Sequence, residues 1–441
     1  MIAASTARSM SPGLLKVAER AKRDPEGVVF AVAHLLDEQA LGRAYAHVRK
    51  DAAVGVDGIT KEQYGQELEG NLRDLRERMR TGHYRHQPIR RVHIPKGKGK
   101  TRPIGISTIE DKVVQGALRD VLEVLYEPVF YDGSYGFRRG RRAHDALRAL
   151  NRALIGGKVK AIVEADIQSF FDSVDRTMLM EMLRERVADG SFLRLVGKCL
   201  HVGVLDGEEF SEPEVGTAQG SILSPILGNV YLHHVLDQWF ERDVRPRLRG
   251  RAHLIRYADD FVIGFEREDD AKRVMDVLPR RFERFGLKLH PDKTRLVPFR
   301  RPPDAQEGGK GPTSFDFLGF THFWRRSRRG RWVPGATTCK GRLRRAIAAV
   351  TDFCRRQRHR PVKEQHAKLK ARLQGHYNYF GINGNSKSLG RLLRRATRAW
   401  YKWLKRRSQR ARLNWDRFKE RILRAFPLPP PRIVVQLWSP P

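Results

Sequence analysis

At 441 residues and 40% hydrophobic composition, the chain is long enough for two or three folded domains, each with its own core, which argues against a disordered protein. A formal net charge of +36 and a pI near 10.7 point to a polyanionic partner, nucleic acid first, with a merely solvated, ribosome-like surface as the bland alternative. Three cysteines, Cys199, Cys339 and Cys354, form no CxxC pair, and no 18-residue apolar run or signal-type N-terminus is present, so a zinc site, a disulfide scaffold, export and a membrane span are not expected.

In chain order, the first strong helix signal is "STIEDKVVQGALRDVLEVLYEP", where Ser107 and Glu110 have capping-box spacing and Pro128 ends an amphipathic run. "KVKAIVEADIQSFFDSVDRTMLMEMLRERV" reads as a strand ending at Asp166, a turn, and a helix from about Arg176. "AHLIRYADDFVIGF" reads as strand, tight turn and strand, followed by a helix over about Asp270 to Phe285 and a further strand near Leu287. The Pro- and Gly-rich stretch from Arg301 to Ser314 predicts a surface loop or hinge. Beyond it, Leu389, Leu392, Leu393, Ala396, Trp400, Trp403 and Leu404 recur at helical spacing and predict a small helical domain. From Arg325 to Ala425 there are 32 Lys plus Arg against 4 Asp plus Glu, so the outer face of that domain carries most of the positive charge. The tail "PLPPPRIVVQLWSPP" is too proline-rich for helix and is expected to pack as an extended strap. Sheet and helix signals mixed in this order predict an α+β fold.

Within "LIRYADDFVIGF", Asp259 and Asp260 sit side by side between two apolar runs. Two carboxylates this close repel, the more so beside a low-dielectric core, and the stretch offers Arg256 as its one basic residue. Taken alone, such a pair is more often a solvated turn. A third acid, Asp166, also closes an apolar strand, where a helix-capping role is the plain alternative. Three acids at strand ends in a basic protein suit Mg²⁺, which prefers carboxylate and phosphate oxygens, and a pair of such ions can clamp the attacking and leaving oxygens of a phosphoryl transfer.

"RYADDFVI" resembles the Y-x-D-D box of reverse transcriptases, and the blocks around it resemble the bacterial group II intron reverse transcriptase and maturase family. Those blocks are "GVDGIT", "IPKGKGKTRPIGI", "SYGFRRGRRAHDAL", "EADIQSFFDSVD", "GTAQGSILSPILGNVYLHHVLD", "GLKLHPDKT" and "FDFLGF", in that order from Gly55 to Phe320. Each is a modest signal, and seven in order are a strong one. "GHYNYFGI" and "RFKERILRAFPLPPPRI" resemble the family's thumb and maturase region. The resemblance implies a right-hand polymerase fold: an N-terminal extension over 1–54, fingers and a palm with a small antiparallel sheet over 55–325, and an all-α thumb and maturase domain with a Pro-rich tail over 326–441. It implies Asp166, Asp259 and Asp260 as catalytic residues that ligate two Mg²⁺ ions (or Mn²⁺), helped by the backbone carbonyl of Ile167.

For the incoming dNTP the resemblance implies Lys96 and Arg102 on the triphosphate, Phe171 as the bulky residue that excludes a ribose 2′-hydroxyl, and Gln219 with Gly220 lining the site. For template and primer it implies Arg138, Arg141 and the turn Leu318–Gly319. A solvated basic loop, core aromatics and a buried strand are the respective alternatives. "GKGKT" is no P-loop, because Ile94 stands where the motif needs glycine. The aromatics Tyr377, Tyr379, Trp400 and Trp403 are expected in core packing before base stacking. No cysteine-paired HNH endonuclease motif is present, so cleavage of a second target strand is not expected.

The function so implied is RNA-directed DNA polymerisation by a bacterial, cytoplasmic and nucleoid-associated protein, with RNA template, group II intron RNA, a DNA target or primer and dNTPs as partners and maturase activity beside it. A host reverse transcriptase in repair or defence, and an RNA-binding splicing cofactor with a vestigial polymerase site, are the other readings. Oligomeric state stays open.

Overall fold

The computed structural model describes residues 10–438 apart from 98–99, 208, 212–214, 218–219, 305–309, 328 and 409–412. The chain starts with helices α1 (Pro12–Arg23), α2 (Glu38–His47) and α3 (Leu68–Arg80). Ser11 and Asp37 cap the first two, each accepting a backbone N–H of the first turn. Leu14, Leu35, Leu41 and Ala44 are buried in the main core, so these helices within the expected N-terminal extension are part of the folded body. Strands β1 (Ile89–Gly97) and β2 (Lys100–Ile106) form an antiparallel hairpin whose sheet is later completed by β4 (Val204–Asp206) and β5 (Glu209–Ser211).

Helix α4 (Ile109–Tyr126) is the central strut, with Val113, Val114, Ala117, Leu118, Val121, Leu122 and Leu125 all buried. Its N-cap is Thr108, whose hydroxyl accepts the Asp111 N–H, and this corrects the expected Ser107–Glu110 box. Ser107 instead accepts from Gln115 Nε2, and Glu110 pairs with Arg78 at 2.7 Å. Gly116 permits the close crossing of α2 and α4, since a Cβ there would lie 3.0 Å from that of Ala44.

After α5 (Ala143–Ile155) comes β3 (Ala161–Asp166), the inner strand of an antiparallel sheet ordered β6 (Ala252–Tyr257), β7 (Asp260–Phe265), β3, β8 (Arg295–Pro298). The strands read as continuous apolar runs because both faces are covered. Val163, Ala165, Phe261 and Ile263 face the main core. Ile162, Ile255, Val262 and Val297 face a second core shared with α5. The main core also takes in α6 (Arg176–Arg184), α7 (Gly190–Leu200), α8 (Ser224–Leu232) and α9 (Glu268–Glu283), so the helices expected from Arg176 and near Asp270 are present. The strand expected near Leu287 is reduced to a single bridge, Ile167 to Leu289, and the sheet strand begins only at Arg295.

A third antiparallel sheet, β9 (Lys310–Phe317), β10 (Phe320–Arg326) and β11 (Trp332–Thr338), covers the second core. It begins inside the expected loop of Arg301 to Ser314 and runs past residue 326, where helix was expected. Helices α10 (Lys340–Arg356), α11 (Val362–Phe380) and α12 (Ser386–Lys405) follow and pack Leu343, Phe353, Leu373, Tyr377, Leu392 and Trp400 into a third core. As far as Trp438 the tail runs as an extended strap. Leu437 is buried, its N–H donates to Asn383, and Arg148 of α5 donates to the Gln436 carbonyl at 3.1 Å.

Candidate active site

The sheet brings two of the three acids face to face: Asp166 closes β3 directly opposite Asp260, which opens β7. The β6–β7 hairpin closes on the pair Tyr257–Asp260, so its turn is Ala258–Asp259, with Ala258 in the left-handed region at φ +56°. The segment before α5 presses on this turn at Gly136, where a Cβ would lie 2.2 Å from the Ala258 nitrogen, so only glycine fits.

Arg256, the one basic residue of the stretch, pairs away from these carboxylates. It is fully buried, its Nε donates to Asp237 at 2.9 Å, and its Nη1 donates to Asn229 and to the Ala258 carbonyl at 3.0 and 3.1 Å. Arg256 therefore holds the back of the Ala258–Asp259 turn. Asp237 reaches it from a π-helical stretch, His233–Gln238, that continues α8 and rotates the side chain inward. Asn229 also donates to the Gly136 carbonyl at 2.8 Å, so one buried network fixes both strands of chain at the turn.

The compensating cations come from elsewhere. Lys293 Nζ stands 2.6 Å from Asp166 Oδ2, and Arg102 of β2 acts electrostatically on Asp259. Burial, more than any neighbour, raises the Asp259 carboxyl above the usual carboxylate range, with Asp166 adding to it and Arg102 and Lys293 opposing. Asp260 is pushed up to about 7, again by burial first, with Asp166, Asp259 and Glu164 adding repulsion and the Leu318 N–H opposing. These are acids that a divalent cation would bring back to the ionised form, and their oxygens are the donors that Mg²⁺ prefers. Among the described residues no three His, Cys, Asp or Glu side chains are already gathered for a metal ion, and Asp166 is engaged with Lys293.

Leu318 and Gly319 form the two-residue turn between β9 and β10, both in the left-handed region at φ +51° and +78°. The Leu318 N–H faces Asp260 Oδ2 at 3.4 Å, which puts this turn at the carboxylates. A cavity of about 550 Å³ opens beside Asp166 and Asp260, and Lys293, Arg295, Lys340, Arg342 and Arg345 give it a cationic wall.

Of the residues expected around a nucleotide, Arg102 lies on β2 opposite Ile94, and Ile167 is buried next to Asp166. Phe171 is half-buried, with ring neighbours Phe170 at 5.1 Å and Phe137 at 6.4 Å. Its carbonyl accepts the Thr217 N–H at 2.7 Å and so anchors the loop that leads to Gly220. Gly220, at φ +115°, backs onto β2, where a Cβ would meet the Gly105 oxygen at 2.5 Å. Lys96 belongs to β1, its side chain lies outside the described residues, and so does Gln219.

Both expected template arginines bond within the protein. Arg138 has a side chain only 2% exposed, and its guanidinium is spent on Glu127 at 2.8 Å and on the carbonyls of Tyr131 and Ser134 at 2.7 and 2.8 Å. It is a strut of the loop that delivers Gly136 to the turn. Arg141 clamps the same loop through the Asp132 carbonyl at 2.6 Å and lies over the Tyr135 ring. An arginine aimed inward and one aimed at a phosphate look alike in a basic sequence. Lys293 and Asp237, which the sequence reading passed over, both lie in motif blocks, "GLKLHPDKT" and the end of "VYLHHVLD".

Residues 94–322, which contain all of these groups except the first helices and the C-terminal region, match the family described as reverse transcriptase (RNA-dependent DNA polymerase). This chain is a reverse transcriptase family member. The family's likeness extends to individual proteins. The Escherichia coli protein YkfC is 32% identical over 330 residues, 67% of this reverse transcriptase and 83% of YkfC. The group II intron-encoded protein LtrA of Lactococcus lactis is also 32% identical, over 249 residues that make up 54% of this chain and 41% of LtrA. The mitochondrial nuclear intron maturase 2 of Arabidopsis thaliana is 26% identical over 232 residues. The chain therefore stands with group II intron reverse transcriptases and maturases, while spanning less than half the length of LtrA. Among the described residues no helix is long and apolar enough to cross a membrane.

Proposed function

We propose that this reverse transcriptase extends a DNA primer along an RNA template and that its basic C-terminal helices bind group II intron RNA and assist its splicing. In this reading the chain up to Thr338 forms fingers and palm, and the thumb and maturase region begins at Lys340 rather than at residue 326. The observation that carries the reading is the pairing of Asp166 with Asp260 across β3 and β7, with Asp259 in the adjoining turn, beside a cavity with a cationic wall.

The reaction is in-line attack of the primer 3′-hydroxyl on the α-phosphate of a dNTP, with pyrophosphate leaving. Asp166, Asp259, Asp260 and the Ile167 carbonyl would hold two Mg²⁺ ions, or Mn²⁺, and bound ions supply the charge that stabilises attacking and leaving oxygens. Lys96 and Arg102 hold the triphosphate, and Gln219, Gly220 and Phe171 line the nucleotide site, Phe171 against a 2′-hydroxyl. The Leu318–Gly319 turn seats the primer end beside Asp260. Arg295, Lys340, Arg342 and Arg345 meet backbone phosphates. Lys293, 2.6 Å from Asp166 Oδ2, places a positive charge beside the carboxylate that would ligate the ions.

Primer extension on an RNA template with dNTPs and Mg²⁺ tests the reading. Wild type extends, and Asp259→Ala loses activity. Equal extension by both would end the assignment. Intron splicing assayed with the same variant separates the second activity, because RNA binding by the helices does not need Asp259.

A further inference from the structure

The end of α11 is held unusually firmly. Asn385, fully buried, donates to the Phe380 carbonyl at 2.8 Å and bonds both Thr338 and Thr337 at the end of β11. His144 Nε2 of α5 donates to the Tyr379 carbonyl at 2.8 Å. Gly381 lets the chain leave the helix at once, since a Cβ there would strike the carbonyls of Tyr377 and Arg432 at 2.2 and 2.4 Å. From this anchored end the Tyr379 ring lies along Phe320, centroids 5.9 Å apart, and its hydroxyl donates to the Leu318 carbonyl at 2.9 Å.

The peptide units of that turn face two ways. The Leu318 carbonyl accepts from Tyr379, and the Leu318 N–H is turned to Asp260 Oδ2 at 3.4 Å, the outer limit of a hydrogen bond. Leu318 is also one of four non-glycine residues with positive φ among the described residues, a conformation that costs a leucine and persists only where its surroundings enforce it. A small relaxation of the turn would break the contact with Asp260. The Tyr379 hydroxyl is the side-chain group that bonds the turn from the C-terminal helices, and the Cys339 N–H adds a backbone bond to the Gly319 carbonyl at 3.0 Å.

We propose that Tyr379 is a positioning residue: by holding Leu318 in its left-handed conformation it keeps the amide of the turn on Asp260, and so couples the seating of the C-terminal helices to the carboxylate cluster. This rests on the reading of Asp260 as a catalytic carboxylate. The geometry gives the helices a means of acting on the chemical step without touching nucleotide. When they are seated, the turn is closed on Asp260, and when they shift, the turn relaxes and the step slows.

Tyr379→Phe keeps the ring and removes the hydroxyl. Single-nucleotide extension of a DNA primer on poly(rA) with dTTP and Mg²⁺ should show kcat lowered about five- to tenfold, in line with loss of one neutral hydrogen bond, with KM for dTTP changed less than about twofold. Thermal midpoint and affinity for the primer–template should match wild type. In a Leu318→Gly background, where glycine adopts the left-handed conformation without cost, adding Tyr379→Phe should change kcat by less than about twofold. Wild-type kcat in Tyr379→Phe, or a fall matched by loss of thermal midpoint, or additive effects in the double variant, would overturn the proposal. Asp260→Asn in the same assay keeps the two readings apart: full activity there contradicts the role of Asp260 itself, whereas an inactive Asp260→Asn beside a wild-type-like Tyr379→Phe contradicts only the coupling.

Discussion

The β3–β7 sheet end and the three C-terminal helices use charge in opposite ways. At the sheet end charge is partnered: Arg256 with Asp237 fully inside the protein, the buried Arg138 with Glu127, and the exposed Lys293 with Asp166. On the helices charge is exposed and outnumbers its partners, with 32 basic residues against 4 acidic ones from Arg325 to Ala425. A buried charge is costly to leave alone, so the first region spends its cations on geometry. An exposed charge costs little and is worth little to the fold, so the second region leaves its cations open to the polyanion proposed above. The same residue type, arginine, is thus structural in one region and, in the function proposed above, a phosphate contact in the other.

The largest expected effect is on chemistry at the sheet end. Asp166→Asn should reduce nucleotide incorporation by at least about a thousandfold in a single-turnover assay, while far-UV circular dichroism stays unchanged. Residual activity within tenfold of wild type would break the contrast. Next is stability. Asp237→Ala leaves the Arg256 guanidinium buried without its carboxylate and should destabilise by about 3–5 kcal/mol in denaturant unfolding. Asp352→Ala, which breaks exposed pairs with Arg355 and Arg356 on α10, should change stability by less than about 0.5 kcal/mol. Equal costs would mean that the two regions do not differ.

Replacing Arg394, Arg395 and Arg398 on the exposed face of α12 with Gln should leave the thermal midpoint alone, weaken RNA binding and lower the dependence of log affinity on log salt by about two to three. Arg138→Gln should do the reverse, costing stability and leaving the salt slope unchanged. A further effect is on pH. His322, buried on β10 against the Phe315 ring, is held to about 4 by burial. Its folded-state pKa lies below its unfolded value near 6.5, so the folded state resists a proton that the unfolded chain accepts. Stability should be level above pH 6.5 and fall as pH drops towards 4, by up to about 3 kcal/mol, and His322→Gln should flatten that slope.

How much of this was legible in sequence follows the same division. Asp166, Asp259 and Asp260 could be found because each ends an apolar run and sits in a motif block, and the β3 and β7 register places Asp166 and Asp260 together as required. The helices ending near Tyr126 and starting at Arg176 were legible from periodicity, the first also from Pro128 at its end, although its capping residue was misread. The partner of Arg256 was not, because Asp237 is brought to it by π-helical turns that shift the side chain off the α-helical face. Nor was the inward role of Arg138, which depends on three acceptors supplied by loop conformation. Strand β9 escaped because its first residues, Lys310 to Ser314, carry Gly and Pro and read as loop. The tie from Tyr379 to Leu318 joins residues 61 apart that no local pattern connects.

The account depends most on the three carboxylates sharing a divalent load. Electron paramagnetic resonance of Mn²⁺ titrated into the protein with primer–template and dNTP measures this directly. Wild type should bind the ion, and Asp166→Asn, Asp259→Asn and Asp260→Asn should each lose at least tenfold in affinity with the fold intact. Undiminished Mn²⁺ binding in all three variants would contradict it.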